Sequence, residues 1–324
     1  MTPTIFVGTI GESIWRSTDG GDSWSRTSNG IFPEADIRAI AVNPTDSSIV
    51  YAGTEVGIYR SNDGGDSWSL LNSAMNDMQI WSIAINPDNP GTVYAGTCPS
   101  ALFRSDDGGG TWKQLDVELA PDCGPNIPVI PRVTTITIDP NDSQTVYAGI
   151  EIDGMRISHD GGETWTEGSD GLSSRDIHGL TVVPGSPKTL VAATNNDVCT
   201  TTDMRNWTPL SVKDHYPWPY CRSALYLANN GSSRLYVGAG NGPPGDQGGL
   251  FYSTNLGESW ERVDLGIEGN SNSTIWKMEH NPAVSDWLMA YSVHGQLFQS
   301  RDNGGSWTKL AREFGEVRAV TLVP

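Results

Sequence analysis

Short runs of alternating apolar and polar residues, bounded by Gly, Pro, Asn or Asp, recur along the whole chain. One run reads Ile37-Arg-Ala-Ile-Ala-Val-Asn-Pro44 and is followed by Ile49-Val-Tyr-Ala-Gly-Thr54. The same pair of runs returns between Ile80 and Thr97 and between Val133 and Gly149. A period of two with β-branched residues predicts strands, and Asn-Pro between two such runs predicts a tight turn. Each pair therefore reads as a strand A, a turn and a strand B.

A second pattern, Ser-x-Asp-x-Gly-x-Ser/Thr-Trp, follows each pair. It runs Ser17 to Trp24, Ser61 to Trp68, Ser105 to Trp112, Ser158 to Trp165 and Ser300 to Trp307. Ser253 to Trp260 carries Asn255 in place of the Asp, and Thr201 to Trp207 is one residue short and lacks the Gly. The motif suits a hairpin turn: the carboxylate accepts backbone N–H groups, Gly supplies a positive φ and Trp covers the turn. A strand C enters it, and a strand D is expected to start at the Trp.

Successive Trp residues of this motif stand 44, 44, 53, 42, 53 and 47 residues apart. From Trp307 through the C-terminus and on from residue 1 to Trp24 the count is 41. A self-similar period of this length marks a repeat architecture. Seven units of four antiparallel strands predict an all-β, seven-bladed β-propeller spanning residues 1–324 as one domain. The termini complete the pattern, because Val317 to Pro324 matches strand A and Met1 to Thr9 resumes at strand B. Blade 1 is expected to form from residues 1–30 plus 317–324, closing the ring by pairing the last strand with the first three.

Composition agrees, with 37 Gly and 20 Pro beside 37% hydrophobic residues. No apolar run reaches the roughly 18 residues of a membrane span, and the N-terminus shows no signal-peptide pattern. The expectation is a soluble chain, either cytoplasmic or a mature secreted form lacking its signal peptide. A formal charge of -18 repels phosphate backbones and anionic lipids, which argues against nucleic acid and membrane partners. Cys98, Cys123, Cys199 and Cys221 have no zinc-like spacing. Cys199 is expected buried and free; Cys98 and Cys123 fall at one end of blade 3, within reach of a disulfide in an oxidising compartment.

The combined pattern of Asn-Pro, Val-Tyr-Ala-Gly-Thr and Ser-x-Asp-Gly-Gly-x-Ser/Thr-Trp resembles the BNR, or Asp-box, β-propeller superfamily over the whole chain. That superfamily includes sialidases, xyloglucan-degrading hydrolases, sortilin-like receptors and photosystem II assembly factors. The resemblance implies the fold, and it implies that the Asp box lies opposite the functional face, so Asp19, Asp63, Asp107, Asp160 and Asp302 are structural. It does not carry one function, since one fold hosts unrelated sites. The Arg-Ile-Pro segment of sialidases is absent, with only Ile130-Pro131-Arg132 in the reversed sense. The paired propellers of the xyloglucan enzymes are also absent, because this sequence holds a single ring.

The functional face is then the top, where each strand A enters the channel. Aligning blades puts Ile37, Ile80, Val133, Ile177, Ile275 and Val317 at one repeated apolar position, with Arg222 as the exception. The following position varies as Arg38, Trp81, Thr134, His178, Ser223, Trp276 and Arg318, which predicts a ring exposed to solvent or ligand. The preceding position is mostly polar and includes Arg132, Asp176 and Glu316. Three insertions share this end: 113–132, 211–222 and 240–249. The predicted ligand-binding residues are Arg38, Trp81, Arg132, Trp276 and Arg318, with His215, Tyr216, Trp218 and Tyr220 as an aromatic loop. The predicted acid–base group is His178 with Asp176, Glu151 and Asp153. His178, His215 and His294 have no spacing that enforces a metal site, so neither metal nor cofactor is expected. The functional expectation is a polar ligand, a small molecule, glycan or partner segment, bound on the top face. The alternatives are a glycoside hydrolase or polysaccharide lyase using the same residues, and an assembly scaffold.

Overall fold

A computed structural model describes residues 2–123, 129–229 and 232–324. Seven four-stranded antiparallel sheets each run in the order A-B-C-D from the channel outward. Strands A are Val317–Val323 in blade 1, then Ala39–Val42, Gln79–Ile85, Val133–Asp139, Ile177–Val183, Tyr220–Asn229 and Ile275–His280. Strands B are Thr4–Thr9, Val50–Thr54, Val93–Cys98, Asp142–Ile150, Thr189–Thr194, Ser232–Gly240 and Leu288–Ser292. Strands D are only two residues long and begin one residue after the Trp, as in Ser25–Arg26, rather than at it. No helix of the described residues is long and apolar enough to cross a membrane.

The ring closes as the termini predict. Thr4 pairs with Val323, Ile5 with Leu322 and Val7 with Val320, so the last strand is the innermost of the blade that opens the chain. Ile5, Val7, Val317 and Leu322 share one apolar cluster with Tyr291 and Trp287 of blade 7.

What holds each blade to the next is a side chain seated against the preceding strand B, on a glycine at five of the seven interfaces and on Ala193 and Tyr291 at the other two. Ile37, Ile80, Val133, Ile177, Cys221, Ile275 and Val317 are all fully buried at the top of their strands A. Under Ile37, Ile80, Val133, Ile177 and Ile275 the glycine of the preceding strand B makes room for this residue. A Cβ at Gly53 would stand 2.8 Å from the Ile80 side chain, and one at Gly96 would stand 2.6 Å from Val133. Such approaches leave no room for a methyl group.

The Asp box forms as the residue types require. In blade 2, Ser67 N donates to Asp63 Oδ1 at 2.9 Å, and Gly65 N donates to the buried Ser61 Oγ at 2.8 Å. The Ser67 and Ser61 hydroxyls and Ser67 N all donate to Asp63, and such donors favour the ionised carboxylate, so Asp63, Asp107, Asp160 and Asp302 are each pulled down to about 2. Asn255 keeps the equivalent bond from Ser259 N at 3.0 Å without a charge. The box also clamps blades together, which the repeat alone did not disclose. Arg16, Arg60 and Arg104 donate to the carbonyls of Gly64, Gly108 and Gly161 in the next blade, at 3.1, 2.7 and 2.8 Å. Arg301 does the same across the closure, to Gly20 at 3.0 Å. All four cysteines are thiols; Cys199 is buried as expected, and Cys98 and Cys123 are not joined.

Deletion of residues 317–324 removes the buried Val317, Val320, Leu322 and Val323. At about 1.5–3 kcal/mol per side chain, this loss is comparable to the whole stability of a domain. The truncated chain is expected not to fold, and retention of the wild-type melting temperature contradicts closure by this strand. Gly53→Ala is expected to cost about 1–3 kcal/mol in denaturant unfolding. For the boxes the folded pKa lies below the unfolded value near 4, so their stabilisation is full above about pH 4 and fades as the pH falls toward 2. Melting temperature should therefore drop steeply over that window. Asp63→Asn at pH 7 should be milder than Asp63→Ala, with equal losses refuting the hydrogen-bonding account.

Candidate functional site

The residue after each seated apolar side chain is squeezed out of the strand ladder. The pairing skips Trp81, Thr134, His178, Trp276 and Arg318, each a β-bulge that turns its side chain into the channel. In blade 6 the skipped residue is Arg222, because Cys221 pairs with Ala239 and Ser223 with Gly238. The alignment that placed Ser223 in the ring is thus one residue off. Cys221 is the seated residue, Arg222 is the channel residue, and Tyr220 takes the position of Asp36, Asp176 and Glu316. Arg222 stops being an exception and becomes a member of the site.

Two adjoining cavities result. One of about 320 Å³ follows the channel and is lined by Arg38, Trp81, Thr134, His178, Arg222, Trp276 and Arg318 among others. The second, about 460 Å³, is the mouth; it shares Trp81, Arg222, Trp276 and Arg318 and adds Arg132, Glu151, Asp176 and Tyr220. Four arginines therefore converge in a chain that carries only 20 Lys and Arg against 38 Asp and Glu.

The arginines are ordered by rings and carboxylates. Arg38 and Arg132 lie over Trp81, at 4.9 and 4.2 Å from its centroid. Arg222 and Arg318 lie over Trp276, at 3.8 and 4.3 Å. Arg38 pairs with Asp36 at 2.9 Å, Arg318 Nε donates to Glu316 at 2.6 Å, and Arg132 pairs with Glu151. Arg222 differs. It is 7% exposed, and among the described residues no carboxylate forms an ion pair with it. It touches the Trp276 face and the Tyr220 hydroxyl, with Glu151 and Asp176 acting on it through space. Burial lowers its pKa against the opposing pull of Tyr220, Glu151 and Asp176, yet a guanidinium starts too high to lose its proton.

His178 is buried, with Nδ1 2.8 Å from the Cys221 carbonyl and Nε2 3.2 Å from Asp176 Oδ1. Burial and the neighbouring Arg222 hold its pKa down. Burial alone would raise Asp176, but His178, Arg222 and Arg132 hold it below the ordinary value. Glu151 is pushed up by burial against the pull of Arg132 and Arg222. A neutral imidazole has one N–H for two acceptors. With the proton on Nδ1 for the shorter contact, the Nε2 lone pair faces an ionised oxygen that no hydrogen bond satisfies.

Several expected site residues lie elsewhere. Asp153 is buried, pairs with Arg156 at 2.8 Å and accepts Ala120 N at 2.9 Å, so it anchors the insertion after blade 3 rather than facing the mouth. Tyr216 stacks on Phe251 at 4.0 Å, and Trp218 meets the same ring edge-on at 6.4 Å. Both belong to the blade 6 core, since covering Phe251 removes more apolar surface from water than a free aromatic loop would. His215 is exposed beside them, as is His294 on its own turn. Tyr220 remains at the mouth, its ring 5.0 Å from His178. Part of the 113–132 insertion, residues 124–128, lies outside the described residues.

Comparison with known proteins agrees with this architecture. The family model described as Sortilin-Vps10, for sortilin and neurotensin receptor 3, matches residues 56–150, and the BNR/Asp-box repeat model matches residues 156–167. No curated protein matches the sequence significantly. Among solved structures, YCF48 bound to a D1 peptide superposes with a TM-score of 0.58 at 16% identity, over 86% of this chain and 81% of that one. YCF48 from Cyanidioschyzon merolae gives 0.57 at 17%, over 87% and 88%. The GH74 xyloglucanase from Xanthomonas campestris gives 0.60 at 18%, covering 91% of this chain and 46% of its own. This chain thus spans about half of the xyloglucanase. The seven four-stranded sheets make the chain a seven-bladed β-propeller, and its repeated turns are of the BNR, or Asp-box, type.

Proposed function

We propose that the protein is a binding propeller whose top-face mouth receives an acidic segment of a partner protein and performs no chemistry on it. The observation that carries this reading is Arg222, a buried guanidinium at the mouth with no carboxylate of its own among the described residues. Glu151 and Asp176 act on it through space without contact, and a ligand carboxylate entering the mouth would add the direct charge-assisted bond that neither supplies. Arg318 and Arg132 stand beside it in the same cavity.

A peptide fits better than a neutral sugar. Sugar rings stack on open Trp faces, and both Trp81 and Trp276 have two guanidiniums over them. The top rim also exposes Phe32 and Ile130, at 64% and 56%, in the connections into blades 2 and 4. The YCF48 relative is a propeller solved with a bound peptide, which supports the same use of the fold.

A second reading has one observation in its favour. Burial pushes Glu151 up while Asp176 is held down, and both line the mouth. Carboxyl groups whose pKa values diverge are the arrangement of a glycosidase acid and its partner. The GH74 relative, a xyloglucanase by name, keeps this reading in view. Against it, Glu151 is paired with Arg132, which favours loss of the proton a general acid needs. Asp176 is also engaged with His178.

Titration calorimetry of the full chain decides between the readings. Octapeptides rich in Asp and Glu with a free C-terminus are expected to bind, while their amidated Asn/Gln counterparts and neutral xyloglucan oligosaccharides do not. Replacing Arg38 and Arg318 together by Ala should weaken peptide binding at least about tenfold, or 1.4 kcal/mol. Both side chains are largely buried over Trp81 and Trp276, so a moderate drop in melting temperature is expected and the affinity is read on the folded variant. Equal binding of neutral and acidic peptides overturns the proposal. Release of sugar from aryl glycosides or xyloglucan that is lost in Glu151→Gln replaces it with the hydrolase reading.

A further inference from the structure

The geometry points to a divalent transition-metal site formed by Glu151, Asp176 and His178 at the edge of the mouth. Glu151 comes from the turn after strand B of blade 4, Asp176 from the connection into blade 5, and His178 from the bulge of blade 5. One donor atom from each lies within 4.8 Å of the others. The inference rests on these three groups alone and stands or falls independently of the peptide reading.

The second observation is the state of the imidazole. Its side chain is 1% exposed, and the Cys221 carbonyl, 2.8 Å from Nδ1, can only accept a proton. That bond fixes the tautomer and leaves the Nε2 lone pair aimed at Asp176 Oδ1, 3.2 Å away, a buried atom that no hydrogen-bond donor satisfies. A metal-bound histidine is held in the same way, donating its remote N–H to a carbonyl while the other nitrogen ligates. Two donors each about 2.1 Å from one ion stand roughly 3–3.5 Å apart, which matches the separation of Nε2 and Oδ1.

One nitrogen and two carboxylates favour Zn²⁺ or a similar first-row ion over Ca²⁺ or Mg²⁺, which require more oxygen ligands. Glu151 and Asp176 also line the mouth cavity, so a fourth position would open toward it. Arg132 shares Glu151, and Arg222 adds positive charge nearby. Both weaken the site relative to a closed structural zinc centre, so binding in the micromolar range is expected.

The test is calorimetric titration of the chelator-stripped full chain with ZnCl₂ and separately with MgCl₂. One saturable Zn²⁺ per chain is expected, with no Mg²⁺ binding. His178→Gln and Glu151→Gln should each weaken Zn²⁺ at least about tenfold. Replacing the exposed His215 and His294 together by Gln should leave the affinity unchanged. Melting curves taken without metal check that each variant is folded; if His178→Gln is not, the half-buried Glu151→Gln carries the test. No saturation by about 100 µM, a Kd weaker than roughly -5.5 kcal/mol, overturns the inference. So does a Zn²⁺ affinity that survives Glu151→Gln or disappears with His215 and His294.

Discussion

The structure depends on one steric fit, an apolar side chain at the top of each strand A seated against the preceding blade. Where that blade offers a glycine, as at Gly53 under Ile80 and Gly96 under Val133, a single methyl would collide with the seated side chain. The fit fixes how closely blades approach at the channel. It also leaves the following residue without a place in the ladder, and the resulting bulge sends that side chain into the channel. Packing of the ring and display of the site are thus one event. At the outer end, arginines that donate to the next blade's box carbonyls lock the same interfaces, including the one that joins the two ends of the chain.

This coupling explains which parts of the molecule could be read from the residues. The blade count and the closure by Val317–Val323 were legible because the boxes and strand pairs repeat at a near-constant interval. The channel ring was mostly legible too, since its residues change from blade to blade beside an apolar position that does not. It failed at blade 6, where the seated residue is Cys221 and the bulged one Arg222. A cysteine did not register as the apolar member of the pattern, although a free buried thiol packs as a small hydrophobe. The inter-blade arginine bonds were not legible, because their acceptors are backbone carbonyls in the next repeat.

The loop 211–222 was misjudged for a related reason. Its aromatics suggested a binding surface, but Tyr216 and Trp218 find a better partner in Phe251 of their own blade. Asp153 looked like a mouth carboxylate and is instead consumed by Arg156 and the Ala120 amide. What remains at the mouth is narrower and more strongly charged than the residue pattern implied: arginines stacked on two tryptophans, most of them neutralised by a carboxylate. Glu151, Asp176 and His178 were grouped in advance as an acid–base set, and three separate segments do bring them together, although no metal was expected there.

Arg38, Arg132 and Arg318 each contact a carboxylate directly, and among the described residues Arg222 does not. The account therefore turns on whether that guanidinium awaits a ligand anion. The most direct measurement is the affinity of the tightest acidic octapeptide for Arg222→Met, which keeps the bulk over Trp276 and removes the charge. The account predicts binding weakened by about tenfold or more, with a melting temperature equal to or above that of the wild type, because an isosteric apolar side chain no longer pays to bury a charge. Undiminished affinity in a folded Arg222→Met protein would contradict it.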